Sequence, residues 1–184
     1  VQVLPLSAQS DESLAALVVD YRDWLNRDAR TPLAELCQTA AAGRPLLRMR
    51  LALVARARDQ LCDKFQLLTL KEWSGRDQLQ GSLIFAADTR DEAACRQLAA
   101  AALAPRLSGL SDPALVELAQ AIDSPTVREA LLARGLSERA SAVERAGLAL
   151  GAEEAVELAA AWALAYVTGG VPRAAAWYGA GSSP

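Results

Sequence analysis

Apolar and polar positions change period at Gly43. Before it, Leu33, Leu36 and Ala40 recur at helical spacing behind Thr31-Pro32, a cap followed by a proline in the first turn, and Gly43 stands where a helix C-cap glycine belongs. After it, Met49, Leu51 and Leu53 point to one side while Arg48, Arg50 and Ala52 point to the other, and Val54 and Ala55 extend the apolar run. This is the pattern of a helix that delivers its chain into a strand. A second helix follows from Asp59 to about Leu70, apolar at Leu61, Cys62, Phe65 and Leu68.

Upstream, Val1 to Ala8 reads as a short strand that Pro5 pushes towards a sheet edge or a bulge. Ser10 is the N-cap expected for a helix from Asp11 to about Asn26, with Asp11 and Glu12 at its positive end. Leu14, Leu17, Val18, Tyr21, Trp24 and Leu25 form its apolar stripe. Residues 71–81 form a polar break, and Ser82 to Ala87 reads as a third strand. A sheet with helices on one face leaves its other face to meet another domain or water.

Beyond Asp88 the pattern is helical throughout. Asp91 to Ala104 is expected to be a helix ended by Pro105, Pro113 to Ile122 another, and Ser124-Pro125 starts a third that stops at Gly135. Ser137 to Leu150 and Ala152 to Thr168 complete the set, with Trp162 and Tyr166 one turn apart as core residues. Residues 168–184 read as a glycine turn, a short segment with Trp177 and Tyr178, and a frayed tail. The fold class expected is therefore α+β: a small three-stranded sheet with helices on one face, then an antiparallel α-helical cluster. The organisation expected is an α/β unit over residues 1–90 and a helical unit with a C-terminal tail over residues 91–184.

Composition narrows the chemistry. A net charge of −3 lacks the basic excess of a nucleic-acid binder. The sequence has no apolar run long enough for a membrane span, and VQVLPLSA lacks the pattern of a signal peptide. The absence of an initiator Met suggests a piece of a longer polypeptide, expected in the cytoplasm. The three cysteines, Cys37, Cys62 and Cys95, share no metal-ligand spacing, and with no histidine in the chain they read as small core residues in a reducing compartment. A serine or cysteine nucleophile needs a base, and Lys64 and Lys71 are the only lysines. Glu153, Glu154 and Glu157 read as a solvated helix face, so no catalytic, metal-binding or cofactor-binding residues are expected.

Arg44, Arg48, Arg50, Arg56 and Arg58 flank the central strand. One reading is edge protection and ordinary solvation; the other is a contact surface for an acidic partner. Trp73, in the polar break, is the candidate aromatic anchor of an interface, and Trp177 and Tyr178 are candidates to pack on a neighbouring domain.

The LPLSA strand, Ser10-Asp11-Glu12-Ser13-Leu14, Leu33-Ala34-Glu35-Leu36, Thr39, Gly43-Arg44 and the strand Arg50-Leu51-Ala52-Leu53-Val54-Ala55 occur in an order that resembles the linker following the ketosynthase in modular polyketide synthases. Tyr166-Val167-Thr168-Gly169-Gly170-Val171 and Trp177-Tyr178-Gly179 are similar to the end of the same flanking region in synthases whose acyltransferase acts in trans. Pro172-Arg173 replaces the Val-Asp-Trp usual there, and the stretch from about Pro105 to Gly151 has no counterpart in that region. The resemblance implies a non-catalytic adaptor that packs on the ketosynthase domain of its parent chain and engages a trans-acting acyltransferase or an acyl carrier protein. From the charge and the apolar runs given above, no nucleic-acid or membrane partner is expected. Of the residues named above, Arg44, Arg48, Arg50, Arg56, Trp73, Trp177 and Tyr178 are the candidate partner-binding set. Two alternatives stand beside this: an unrelated helical interaction module, and a small cysteine-dependent enzyme.

Overall fold

A computed structural model describes residues 1–28, 30–43, 45–70, 83–136 and 150–173. The N-terminal half holds β1 (Gln2–Ala8), α1 (Asp11–Arg27), α2 (Leu33–Gly43), β2 (Met49–Ala55), α3 (Arg58–Leu70) and β3 (Ile84–Asp88). The three strands form one antiparallel sheet in the order β1-β2-β3, with Leu4 opposite Leu53 and Leu51 opposite Ala86. The fold is α+β, as the period change at Gly43 predicts.

The Val54 amide donates to the Leu83 carbonyl, so Val54 turns its backbone towards β3 and Leu53 turns its own towards Leu4 of β1. Pro5 then faces the outer edge, where a missing N–H costs no ladder bond. Ser10 caps α1 by accepting from the Ser13 amide, as expected. Thr31 does not cap α2. Its hydroxyl donates to the Asp28 carboxylate, and the Pro32 carbonyl accepts the first helical bond, from Leu36.

Two cores lie on opposite faces of the sheet. On one, Leu4, Leu6, Met49, Leu51, Leu53 and Ile84 pack against Leu14, Val18 and Leu25 of α1, Leu36 and Cys37 of α2, and Leu61, Phe65 and Leu68 of α3. Tyr21 and Trp24 flank this core half-buried, Tyr21 stacked on Phe65 at 6.1 Å. On the other face, Val3, Ala52, Val54 and Ala87 meet the helical section of the same chain. The open face expected from the sequence is therefore covered, by α8 (Ala152–Val167). The physical reason is the composition of α8. Its ten residues Leu158–Val167 are all buried, and a helix that is apolar all round must be enclosed on every side.

The other walls of that core are α4 (Glu92–Leu98), α5 (Ala104–Gly109), α6 (Asp112–Ala121) and α7 (Pro125–Ala133). Pro105 does not end the alanine-rich helix. Residues Ala99–Leu103 widen into a π turn, in which the Ala104 amide reaches back to the Ala99 carbonyl, and the chain continues into α5. In a regular helix the proline ring would strike the carbonyl of the preceding turn; the wider turn makes room for it. Gly135 ends α7 as expected, at φ +70°, with its amide on the Leu132 carbonyl and the Leu136 amide on Leu131. β4 (Ile122–Asp123) pairs with β5 (Val171–Pro172) and ties α6 to the segment beyond α8. The expected helix at 137–150, the polar break and the tail beyond 173 lie outside the described residues but for Leu150.

Candidate functional site

The arginines of the candidate set divide by environment. Arg50, in the middle of the sheet's second face, is 7% exposed. Its Nη1 donates to the carbonyls of Tyr166 at 2.8 Å and Gly170 at 2.7 Å, and its Nε donates to Leu47 at 3.3 Å. The Tyr166 and Gly170 carbonyls belong to the last turn of α8 and the loop after it, where the negative end of the helix dipole lies. The guanidinium lies 5.1 Å from the Tyr166 ring centroid, and that ring stacks on Trp162 at 5.7 Å. The Tyr166 hydroxyl donates to the Leu6 carbonyl of β1 at 3.1 Å. Burial pulls Arg50 below the usual guanidinium range and pushes the Tyr166 phenol up. Arg50 is thus an internal staple between sheet and helix. It is withdrawn from the partner-binding set, because it is buried and its Nε and Nη1 donors are committed within the chain.

The α8 terminus is built for this contact. Gly169 adopts φ +110°, the Gly169 amide bonds the Tyr166 carbonyl, and the Gly170 amide bonds the Ala165 carbonyl. A Cβ on Gly170 would stand 2.6 Å from the Ala165 carbonyl oxygen, so only glycine fits.

Arg58 acts alike at the end of α1, donating to the carbonyls of Leu25 and Thr31 while lying 5.6 Å over the Trp24 ring. Arg134 donates to Leu107, Ser108 and Leu110 at the end of α5. Several arginines of this chain therefore close helix C-termini.

Arg48 is half-buried, and its Nε donates to the Gln9 carbonyl. Arg56 is exposed; its backbone amide bonds the Gln60 side chain. Arg44, Trp73, Trp177 and Tyr178 lie outside the described residues.

Arg56 stands at a groove of about 370 Å³ where β2 ends. One wall is the face of α3 turned away from the core, formed by Gln60, Asp63, Lys64 and Leu67; Val54, Leu83 and Val156 complete it. Leu67 is 45% exposed, although it lines a concavity. Sequence reading missed this wall because Leu67 falls outside the apolar stripe of α3.

The cysteines are set in packed surroundings. Cys37 is buried and burial raises its thiol to about 12; Cys95 is buried and raised by burial and by Asp91 and Asp88; Cys62 is half-buried. Thiols buried and raised like those of Cys37 and Cys95 make poor nucleophiles. Among the described residues, no three His, Cys, Asp or Glu side chains gather as a metal site, and no helix is long and apolar enough to cross a membrane.

Residues 2–65 match the family model described as CurL-like, polyketide synthase C-terminal. The match spans about a third of the chain, from β1 into α3, and agrees with the resemblance to a polyketide-synthase flanking region. No curated protein matches the chain. Among solved structures, the chain is similar to the ketosynthase from module 6 of the bacillaene synthase from Bacillus subtilis 168, at 22% identity and a TM-score of 0.45. That alignment covers 54% of this chain and 16% of the ketosynthase chain.

Proposed function

We propose that this chain is a non-catalytic structural adaptor of a modular polyketide synthase, packing on a ketosynthase and engaging a trans-acting acyltransferase or an acyl carrier protein. The observation that supports it most is the span of the family match, which takes in β1, α1, α2 and β2 and runs into α3, elements that supply most of the first core. Residues 91–184 are the second unit on this reading, helical with a C-terminal tail, and α8 is the cover of the sheet. The sequence supports the lack of catalysis: without histidine there is no general base of the usual kind for a serine or cysteine. On this reading the protein works in the cytoplasm. Arg48 and Arg56 are the described members of the arginine set left to meet an acidic partner.

Calorimetry of the whole chain against a ketosynthase, a free-standing acyltransferase and a carrier protein tests this. Saturable binding to at least one is expected, at about micromolar affinity for a transient contact of modest area. Joint charge reversal at Arg48 and Arg56 is expected to weaken binding to the carrier and flatten its salt dependence. Hydrolysis of malonyl or acyl thioesters by the chain, or binding to none of the three proteins, overturns the proposal.

A further inference from the structure

Helix α3 uses two faces. Leu61, Phe65 and Leu68 enter the core below the sheet, while Gln60, Asp63, Lys64 and Leu67, at helical spacing on another side, wall the groove at the end of β2. The rest of its lining away from Arg56 is apolar, from Val1, Val54, Ala55, Leu83 and Val156. Leu67 stands nearly half exposed in this concavity and is not needed to fill the core. A large apolar side chain held out in a hollow is a contact waiting for another apolar group.

The charges at the rim say which group should accompany it. Arg56 and Lys64 bring two cations and Asp63 one anion, an excess of positive charge in a chain of net charge −3. The Arg56 guanidinium has no acceptor among the described residues, whereas Arg50, Arg58 and Arg134 are all spent on carbonyls. Lys64 is half-buried and already engaged within the chain, so it is the lesser anchor. An exposed guanidinium beside an apolar hollow matches a carboxylate beside an apolar side chain.

We infer that this groove docks an acidic, apolar segment of a partner protein, its carboxylate on Arg56 and its apolar side chain against Leu67 and Val156. The inference rests on the docking function proposed above and names one place where that docking occurs. It adds α3 to the contact surface, where the sequence pointed to the arginine row and to Trp73.

The test uses the whole chain, labelled for amide NMR, and three blocked peptides: alternating Glu and Leu, the same with Lys for Glu, and the same with Gln for Glu. The Glu peptide is expected to shift the Arg56, Gln60, Lys64, Leu67 and Val156 signals saturably, and the Lys peptide to leave them unmoved. Arg56→Glu is expected to weaken the Glu peptide about tenfold, and Leu67→Ala about fivefold. Both residues are exposed, and retained amide dispersion confirms that the variants fold. Equal binding of all three peptides, shifts elsewhere only, or variants within twofold of the parent each overturn the inference. So does saturable binding of decanoate at these residues without binding of the Glu peptide, which assigns the groove to a small amphiphile. If the chain binds its partner proteins while the Glu peptide fails, the groove is rejected and the adaptor function stands. If the Glu peptide binds while all partner proteins fail, the adaptor function is rejected.

Discussion

Arg50 holds Tyr166 twice: Nη1 donates to its carbonyl at 2.8 Å, and the guanidinium lies 5.1 Å from its ring centroid. Removing the side chain strands the Gly170 carbonyl in a buried site and takes from the Tyr166 carbonyl its charged donor, leaving it the Gly169 amide. Arg50→Ala is expected to cost about 2–4 kcal/mol, and Arg50→Lys to recover only part, because an ammonium lacks the planar fork. Urea titration of the three proteins measures both. A loss within about 0.5 kcal/mol for Arg50→Ala, the range of ordinary surface substitutions, contradicts the staple.

Leu53 is fully buried between the sheet and α1–α3. Leu53→Ala is expected to cost about 2–5 kcal/mol through lost burial and a residual cavity. Its denaturation midpoint should fall with an unchanged slope; an altered slope would mean a changed compactness of the native or unfolded state, or a loss of two-state behaviour.

Gly170→Ala puts a methyl group 2.6 Å from the Ala165 carbonyl and displaces an Arg50 acceptor. A destabilisation of about 1–3 kcal/mol is expected from overpacking. Coupling with Arg50→Ala is also expected: the double variant should lose less than the sum of the two losses, as a double-mutant cycle reads directly.

Burial raises Cys37 to about 12 and raises Tyr166 above its ordinary value. For both groups the native state holds a proton that the unfolded state releases at lower pH. Their contribution is fully present below the unfolded values and is lost as pH rises through the folded ones. Stability should therefore decline from about pH 9 upwards, by up to about 1.4 kcal/mol per pH unit for each group titrating only in the unfolded state. Cys37→Ala should flatten the lower part of that limb.

Iodoacetamide at pH 8 should reach Cys62 before Cys37 or Cys95, since only Cys62 is half-buried. Mass spectrometry of the native chain reads the order. Rapid modification of Cys37 would show that α2 does not hold it against the first core as described.

The first core was legible because its signals are local. Alternation at Met49–Ala55, the Ser10 cap and the α1 stripe each involve residues within one element. Arg50 was misread because its acceptors lie 116 and 120 residues further along the chain, and alternation alone cannot tell an arginine facing water from one facing a helix terminus. A usable signal existed in α8, whose run Leu158–Val167 is too apolar to sit against one neighbour only. Pro105 misled for a different reason: the π turn that accommodates it leaves no mark in the residue pattern of an alanine run. Arg48 and Arg56 were legible as candidates, but the α3 wall beside Arg56 depends on where β2 stops, which is a tertiary fact.

The distance along the chain between Arg50 and Gly170 also sets an order of assembly. A ribosome adding about 5–20 residues per second releases β2 roughly 6–24 s before the loop that receives its guanidinium. In that interval α1, α2 and α3 are able to close the first core, while Val3, Ala52 and Val54 stay uncovered and Arg50 stays in water. Nascent chains that stop short of residue 152 should hold their first core and still be retained by chaperones that recognise apolar surface. Release should follow once α8 has emerged.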